Sequence, residues 1–429
     1  MIGIIMFFVA LLLLLLGFPV AFTFGGVAVL FGVFAEGWDL FAFMPYRIYN
    51  IMQNTVLMAV PLFIFMGIVL QKTQLAEQLL ESMGRLFGGV RGGLAVSTIL
   101  VGALLAASTG VVGASVVAMG VISLPVMLKY GYHKGLATGT ICGAGTLGQI
   151  IPPSIILIIL GDVLGLPVGD LFQAAIIPGL VLVALYVLYV LVLAWSNPEV
   201  APAIPFDNDE TGRLEHYLNA AKAIIPPLAL IIVVLGSIFG GIATPTESSA
   251  LGGVGAILLA ILYRKFNWQM LFDAAMETVK ITAMVFAILL GATAFSMAFT
   301  YTGGDTIVEE FMMQLPGEKW GFLILSMLII LLLGFFIDFV EISFIVVPIL
   351  SPIAEAMGIN MLWFAILIAM NLQTSFLTPP FGFSLFYLKG VAPASVRTVD
   401  IYRGVVPFIL IQVSLVISIL VYPELFGLG

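Results

Sequence analysis

The chain alternates long apolar runs with short stretches that are polar or rich in glycine and proline. Residues 2 to 16, 19 to 35, 46 to 71 and 171 to 195 resemble membrane-crossing helices, which need about 20 apolar residues. The first run is short for a span, so it is tilted or continues past its end. Residues 71 to 89 carry leucines at helical spacing on one side and charges on the other, which predicts an amphipathic interfacial helix or, alternatively, a soluble connector.

Residues 92 to 127 predict a re-entrant helical hairpin. Two apolar arms flank the small, polar sequence ASTGVVGAS at 107 to 115, and each arm is well short of the roughly 20 residues needed to cross a bilayer. A single tilted and kinked helix is the alternative.

Residues 135 to 161 and 361 to 389 are apolar enough to cross a membrane, but neither can be one continuous helix. Proline removes a backbone donor and pushes the preceding residue out of the helical region, and each segment contains a Pro-Pro pair, at Pro152 and Pro379 respectively. Both segments therefore predict broken helices. In a bilayer, unwound backbone survives only where it is buried in protein or lines a wet cavity.

The second half of the chain repeats the landmarks of the first. Pro125 corresponds to Pro348, a second hairpin is predicted at 320 to 355 with its tip at 334 to 343, and 306 to 315 is a second interfacial helix. We therefore predict an all-α polytopic membrane protein of two repeats, with a polar linker between them. The first repeat spans 1–195, the linker 196–222 and the second repeat 223–429.

Composition and charge narrow this picture. The chain is 62% hydrophobic and 9% charged, with a mean hydropathy of +1.22. A soluble domain cannot bury that much apolar surface.

Its single cysteine, Cys142, excludes an internal disulfide and a multi-cysteine metal site, and is predicted to be a small residue packed in a helix. The N-terminus is interpreted as a retained first helix rather than a cleaved signal peptide. No GxxxxGK[ST] nucleotide loop is present, so the energy for any transport comes from an ion gradient or another chain.

The positive charges predict the orientation. Five crossings per repeat, with each hairpin returning to its own side, make the second repeat inverted relative to the first. Of the 15 Lys and Arg residues, twelve then lie on one side, two on the other, and Lys280 within a span. Because Lys and Arg concentrate on the cytoplasmic side, the linker is predicted to be cytoplasmic and both termini periplasmic.

The tips and breaks share one chemistry. Unwound carbonyls and hydroxyl groups are hard oxygen ligands for Na⁺, and half-helix N-termini attract anions. Close packing of small residues is the alternative at any single position. The candidate Na⁺ ligands, in two or more sites, are Ser108, Thr109, Ser115, Gly145, Gly148, Ile150, Pro153, Gly334, Asp338, Ser375, Leu377, Thr378 and Phe381.

An anionic substrate would be held by amides, hydroxyls, helix ends and Na⁺, because no Lys or Arg is predicted in a tip or break. The candidate substrate residues are Gln149, Ser154, Asn371, Gln373 and Thr374. Asp338 and Glu341 at the second tip, and Glu247 at a helix start, are ionisable groups near or within apolar segments. They act in a proton relay, in an ion pair or as helix caps.

The motifs GTLGQIIPPS, TPPFG, GIATPTESSA and NTVLMAVPLFIFMG resemble the large membrane subunit of tripartite ATP-independent periplasmic (TRAP) transporters. The resemblance covers essentially the whole chain. It implies a sodium-driven elevator-type importer of organic acid anions in the bacterial inner membrane, C4-dicarboxylates and sugar acids both being open. It also implies a small membrane subunit of about four helices, a periplasmic substrate-binding protein, and kinship of fold with divalent-anion/sodium symporters.

Two other functions are alternatives. A stand-alone carboxylate/sodium symporter or ion antiporter would have a similar architecture. A membrane-embedded enzyme is disfavoured, because the sequence contains no His/Cys/Asp cluster or nucleophile–base pair. Neither nucleic acid nor an ATPase is expected as a partner.

Overall fold

The computed structural model describes the backbone of residues 1–73, 75–109, 112–204 and 213–429, and these residues form helices, short 3-10 or π turns and loops. The helices of the first half are α1 (Ile2–Leu15), α2 (Val20–Glu36), α3 (Met44–Met52), α4 (Ala59–Lys72), α5 (Leu75–Phe87), α6 (Gly93–Thr109), α7 (Val112–Lys129), α8 (Lys134–Thr146), α9 (Ile155–Leu164) and α10 (Val168–Ser196). The helices of the second half are α11 (Arg213–Phe239), α12 (Pro245–Leu262), α13 (Trp268–Tyr301), α14 (Gly304–Met313), α15 (Lys319–Leu333), α16 (Phe339–Ala356), α17 (Met361–Leu377), α18 (Phe383–Val391) and α19 (Thr398–Val421).

Seven helices of the described part are long and apolar enough to cross a membrane by themselves: α7, α10, the Ala220–Phe239 part of α11, α12, α13, α16 and α19. The exterior carries large apolar side chains that a soluble protein would bury, such as Phe34, Trp195 and Phe22, which are at least 80% exposed. An apolar exterior around an apolar core is what a bilayer requires, so the prediction of an all-α polytopic membrane protein is confirmed.

One predicted boundary was wrong. The span predicted at 46 to 71 is interrupted at residues 53 to 58, where the Asn54 side chain accepts hydrogen bonds from the backbone N–H groups of Val56 and Leu57, so that the long helix begins at Ala59. Such local side-chain capping competes with helix continuation. In the segment predicted as the linker, 196–222, α10 ends at Ser196 and α11 begins at Arg213, and residues 205–212 lie outside the described part.

Small residues let the central helices approach closely. A Cβ atom on Gly139 of α8 would lie 2.1 Å from the carbonyl oxygen of Gly404 on α19, and one on Gly143 would lie 2.8 Å from the Phe408 ring. Helix association in membranes relies on this kind of packing. Elsewhere, α2 packs along α13 and α4 packs along α12.

The two predicted hairpins correspond to pairs of consecutive helices that pack against each other, but one arm of each is longer than predicted, because α7 and α16 each have 18 residues and are long enough to cross a membrane. In the first, α6 contacts α7; in the second, α15 contacts α16. The second tip is the turn of residues 334 to 338, and a π-helical turn at Ile342–Val346 follows within α16. Short π turns are frequent at functional sites.

Candidate functional site

The first broken helix is present as predicted. Helix α8 ends at Thr146, a 3-10 turn covers Leu147–Gln149, and α9 begins at Ile155. The Ser154 hydroxyl donates to the Gln149 carbonyl oxygen across the break at 2.7 Å. Almost the whole stretch is buried, so its unwound backbone is sheltered by protein, as a bilayer demands.

The second broken helix has the same plan. Helix α17 ends at Leu377, residues 378 to 382 are non-helical, and α18 begins at Phe383. The Ser384 hydroxyl donates to the Phe376 carbonyl oxygen at 2.8 Å, and the Thr378 hydroxyl donates to the Thr374 carbonyl oxygen at 2.7 Å. The far end of this break reaches the surface.

The tips and breaks of both halves meet. At the second tip, a Cβ atom on Gly334 would lie 2.2 Å from the Ser375 hydroxyl oxygen of α17. Near the first tip, one on Gly113 would lie 2.9 Å from the Tyr387 ring of α18. Helix α9 packs against the start of α16, and α18 packs against α7, so each half-helix that follows a break contacts the hairpin of the other half.

The structure places the predicted residues as follows. Ser108 and Thr109 end α6, but their side chains lie outside the described residues. Ser115 is a buried residue of α7, and Phe381 lies at the exposed end of the second break with its ring 5.3 Å from that of Phe336. The remaining candidates of the first half lie in or beside its break: Gly145, Gly148, Gln149, Ile150, Pro153 and Ser154. Those of the second half lie at its tip or break: Gly334, Asp338, Asn371, Gln373, Thr374, Ser375, Leu377 and Thr378.

Close packing, the alternative considered for the glycines, is observed at Gly145. A Cβ atom there would lie 2.3 Å from the Val116 side chain of α7. Gly145 therefore allows the first hairpin to pack closely on the first broken helix. This packing role does not depend on whether its carbonyl oxygen binds Na⁺.

Gln149 and Gln373 are the most unusual polar residues of the breaks. Both are at most 1% exposed, and neither amide atom of either side chain has a hydrogen-bond partner in the described part. Nearby Asn371, by contrast, donates to the Met327 carbonyl oxygen at 2.6 Å. Buried polar groups are almost always paired, so the two glutamines are candidates for binding a ligand. Gln412 of α19 is also fully buried with no partner for either amide atom among the described residues, so this property is not confined to the breaks.

The donor set fits a hard cation. The hydroxyls of Thr374, Ser375 and Thr378 each donate to a backbone carbonyl of α17, which leaves their oxygen lone pairs available as acceptors. Hydroxyl, carbonyl and carboxylate oxygens are the ligands that hard cations prefer. The second tip adds the carboxylate of Asp338, which caps α16 by accepting from the Phe339 N–H at 2.6 Å.

The acidic residues differ in role. Glu247 completes a capping box with Thr244, accepting from the Thr244 N–H at 2.8 Å, so at this position the cap is the interpretation that the contacts bear out. Glu341 is buried in the first turn of α16, and its Oε2 atom has no hydrogen-bond partner among the described residues.

Sequence reasoning placed Glu341 at the second tip without naming it as a ligand, and it did not assign Ser343 or Tyr387 to the site. Ser343 is fully buried in the π turn with an unpartnered hydroxyl, and Tyr387 lies against the first hairpin at Gly113. The only signal for the first two was a polar residue inside the apolar run of the second hairpin. Nothing in the sequence pointed to Tyr387, because its position depends on a contact between the two halves.

Two buried broken helices that meet two helical hairpins inside an all-helical membrane protein are features of a secondary transporter. The solved structure of the YdaH transporter of Alcanivorax borkumensis shares this fold, with a TM-score of 0.63 and 14% sequence identity over 98% of this chain and 99% of that one.

The family follows from the sequence. The model of the tripartite ATP-independent periplasmic transporter DctM component matches residues 5–425, and the chain belongs to this family. It is 28% identical to the C4-dicarboxylate TRAP transporter large permease protein DctM of Pseudomonas aeruginosa, over 88% of this chain and 86% of that protein. It is also 28% identical to the ectoine/5-hydroxyectoine TRAP transporter large permease protein UehC of Ruegeria pomeroyi, over 98% of this chain and 96% of that protein. These relatives are transporter permeases, not enzymes.

Proposed function

We propose that this chain is the transport subunit of a sodium-coupled, binding-protein-dependent importer of organic acid anions in the bacterial inner membrane. The observation that carries the proposal is a pair of buried glutamines, Gln149 and Gln373, one in each broken helix, whose amide atoms have no hydrogen-bond partner in the described part of the chain. An amide offers two donors and one acceptor oxygen, which suits a carboxylate and its accompanying cation.

Membership of a tripartite family supports two partners, a small membrane subunit and a periplasmic substrate-binding protein. The names of relatives, which cite C4-dicarboxylate and ectoine/5-hydroxyectoine, support small organic acids as the substrate class. A stand-alone symporter is the second candidate function, but no observation on this chain favours it.

We propose that the two halves are inverted repeats. The helix contacts support this, because they come in matching pairs. Helix α2 packs on α13 as α12 packs on α4, and α6 packs on α8 as α15 packs on α17. The positive-charge distribution supports a cytoplasmic linker and periplasmic termini. Reporter fusions at the C-terminus that are active only in the cytoplasm would contradict this orientation.

That arrangement supports an elevator mechanism. Helices α2, α4, α12 and α13 form the scaffold, and the hairpins with the broken helices form the moving unit that carries substrate and Na⁺ across. The scaffold helices support this division, because their most extensive contacts are with one another.

The test is uptake into proteoliposomes that contain this chain, its small subunit and its loaded binding protein. We expect accumulation of the acid only with an inward Na⁺ gradient and only with the binding protein. Uptake that follows a proton gradient and ignores Na⁺ would overturn the coupling. Uptake without the binding protein would favour the stand-alone symporter.

A further inference from the structure

A small polar cavity lies where the amphipathic helix α5 meets the ends of two membrane-spanning helices. Its volume is about 210 Å³. Pockets for drug-sized molecules measure roughly 300–1,000 Å³, so this cavity suits a compact polar group. The residues that line it belong to neither hairpin and to neither broken helix. They are Gln78, Glu81 and Ser82 of α5, Lys222 and Ala223 of α11, and Tyr263 directly after α12.

The cavity lies at the edge of the apolar layer. The membrane-spanning part of α11 begins at Ala220 and that of α12 ends at Leu262, so Lys222 and Tyr263 lie at the same boundary. The Tyr263 hydroxyl donates to the Lys222 carbonyl oxygen at 2.8 Å and joins the two helix ends. Tyrosine is frequent at this depth, because its ring is apolar and its hydroxyl is polar. A ligand in the cavity would therefore lie between water and the bilayer.

The polar groups of the cavity suit a phosphate. Lys222 is exposed and forms no ion pair with another described residue. The Ser82 hydroxyl and the Gln78 amide are further hydrogen-bond donors. Glu81 is the one acidic residue of the lining. Two more exposed basic residues lie in the turn that follows α12, namely Arg264 and Lys265. Basic groups therefore outnumber acidic ones among the described residues of this corner.

The helix faces next to the cavity suit hydrocarbon chains. Ile225, Ile232 and Val233 continue the face of α11 that carries Lys222, and each of them is more than half exposed. Helix α12 has a similar exposed stripe that ends at the cavity, formed by Val254, Leu258 and Leu262. A basic, polar cavity that continues into two apolar stripes matches an amphiphile with a phosphate head group and two hydrocarbon tails.

We propose that this cavity binds the head group of an anionic glycerophospholipid from the leaflet that faces the linker. Its phosphate would lie on Lys222, and its acyl chains would follow α11 and α12. Helix α5 packs on α11 and also on α6, the first arm of the first hairpin. The bound lipid would thus fasten α5, which supports that hairpin, to the two spanning helices. This inference is independent of the proposed transport function.

The test is native mass spectrometry of this chain with its small subunit, purified in detergent and stripped of lipid. The probe is dioleoyl phosphatidylglycerol. Dioleoyl phosphatidylcholine has the same chains without the net negative charge, and glycerol phosphate has the anionic group without the chains. We expect one phosphatidylglycerol molecule to bind more tightly than phosphatidylcholine, and glycerol phosphate not to bind.

The variant Lys222→Gln keeps a hydrogen-bond donor and removes the charge. It should bind phosphatidylglycerol about fivefold more weakly, the effect of one basic residue near an anionic membrane surface. Lys129→Gln is the matched control, because Lys129 is an exposed basic residue at the end of α7 that does not line the cavity. It should bind like the wild type. Phosphatidylglycerol should also raise the thermal unfolding temperature of the wild type and of Lys129→Gln more than that of Lys222→Gln.

Several results would overturn the inference. Equal affinity of Lys222→Gln and the wild type for phosphatidylglycerol would remove Lys222 from the site. Equal binding of phosphatidylcholine would remove the selection for an anionic head group, and equal binding of glycerol phosphate would indicate a site for a soluble anion. Absence of bound lipid would mean that the small subunit or another part of the chain covers the cavity. The comparisons between probes use the wild-type protein, so they remain decisive if Lys222→Gln does not fold.

Discussion

At the scale of single residues, a buried polar side chain without a hydrogen-bond partner is a better indicator of a ligand-binding site than a buried polar side chain as such. Asn371 and Gln373 lie two positions apart on α17 and are both almost fully buried. Asn371 donates to the Met327 carbonyl oxygen, whereas neither amide atom of Gln373 has a hydrogen-bond partner among the described residues. An unsatisfied buried group lowers stability, so Gln373 is better explained by a ligand than by packing.

Replacing Gln373 by Leu should therefore separate stability from transport. Removing an unsatisfied amide should leave the free energy of unfolding unchanged or raise it by about 1–3 kcal/mol, while Na⁺-dependent uptake falls to background. Thermal unfolding in detergent and proteoliposome uptake measure the two effects.

Asn371→Leu is the matched control. It leaves the buried Met327 carbonyl oxygen without its donor, so it should destabilise the protein by about 1–3 kcal/mol. If Gln373→Leu destabilises equally and transports normally, Gln373 is a packing residue.

At the scale of elements, proline and small side chains decide where helices stop. Each Pro-Pro pair lies in the non-helical stretch between two half-helices, as predicted, whereas Pro178 lies inside the continuous helix α10. Proline alone therefore does not interrupt a helix in this chain.

The double change Pro152→Ala, Pro153→Ala should restore two backbone donors and favour a continuous helix through residues 147 to 154. Carbonyl oxygens of the break, including those of Gly148 and Ile150, would then turn into helical hydrogen bonds. We expect near-complete loss of Na⁺-coupled uptake with normal membrane insertion, measured as uptake per inserted protein.

Pro178→Ala serves as the control for that experiment, because it changes a buried proline in a helix that is already continuous. It should transport like the wild type. Wild-type uptake by the double variant would mean that the prolines only kink a packed helix.

The capping box of α12 gives a prediction that distinguishes a cap from a proton relay. Glutamine can replace glutamate in a capping box, so Glu247→Gln should keep both stability and uptake. Thr244→Ala removes the N-cap hydroxyl and should lower the free energy of unfolding by about 0.5–2 kcal/mol. Loss of uptake in Glu247→Gln, with unchanged thermal unfolding, would restore the proton-relay interpretation.

At the scale of the whole molecule, a hydrogen bond between Asn54 and Asp162 joins the proposed scaffold to the proposed moving unit. The Asn54 side chain, at the start of α4, donates to the Asp162 carboxylate of α9 at 2.5 Å. Within the scaffold, Lys72 of α4 pairs with Glu277 of α13 at 3.1 Å. The two contacts therefore report on different interfaces.

Cysteines at 54 and 162, joined by oxidation, should abolish uptake reversibly, because they fix the moving unit to the scaffold. Cysteines at 72 and 277 join two scaffold helices and should leave uptake close to normal. Uptake before and after reduction is the measurement, and equal activity of the two oxidised pairs would remove the elevator mechanism.

The sequence by itself determined the membrane class, the two hairpins, both broken helices and most of the polar residues at their centre. These features depend on local chemistry, namely apolar run length, proline and small polar residues, which act over one or two helical turns. The interruption at Asn54 escaped prediction, since it depends on one side chain capping its own backbone.

Only the tertiary structure decided which polar groups are paired. In the sequence, Asn371 and Gln373 are both amide residues in the same apolar segment. They differ in hydrogen bonding, because α15 brings the Met327 carbonyl oxygen to Asn371, whereas Gln373 has no partner among the described residues. The meeting of Tyr387 with Gly113, and the apolar cover that α9 gives to the start of α16, likewise join residues far apart in the chain. Hydrogen-bond satisfaction and burial are properties of neighbours in space, which the order of residues along the chain does not specify.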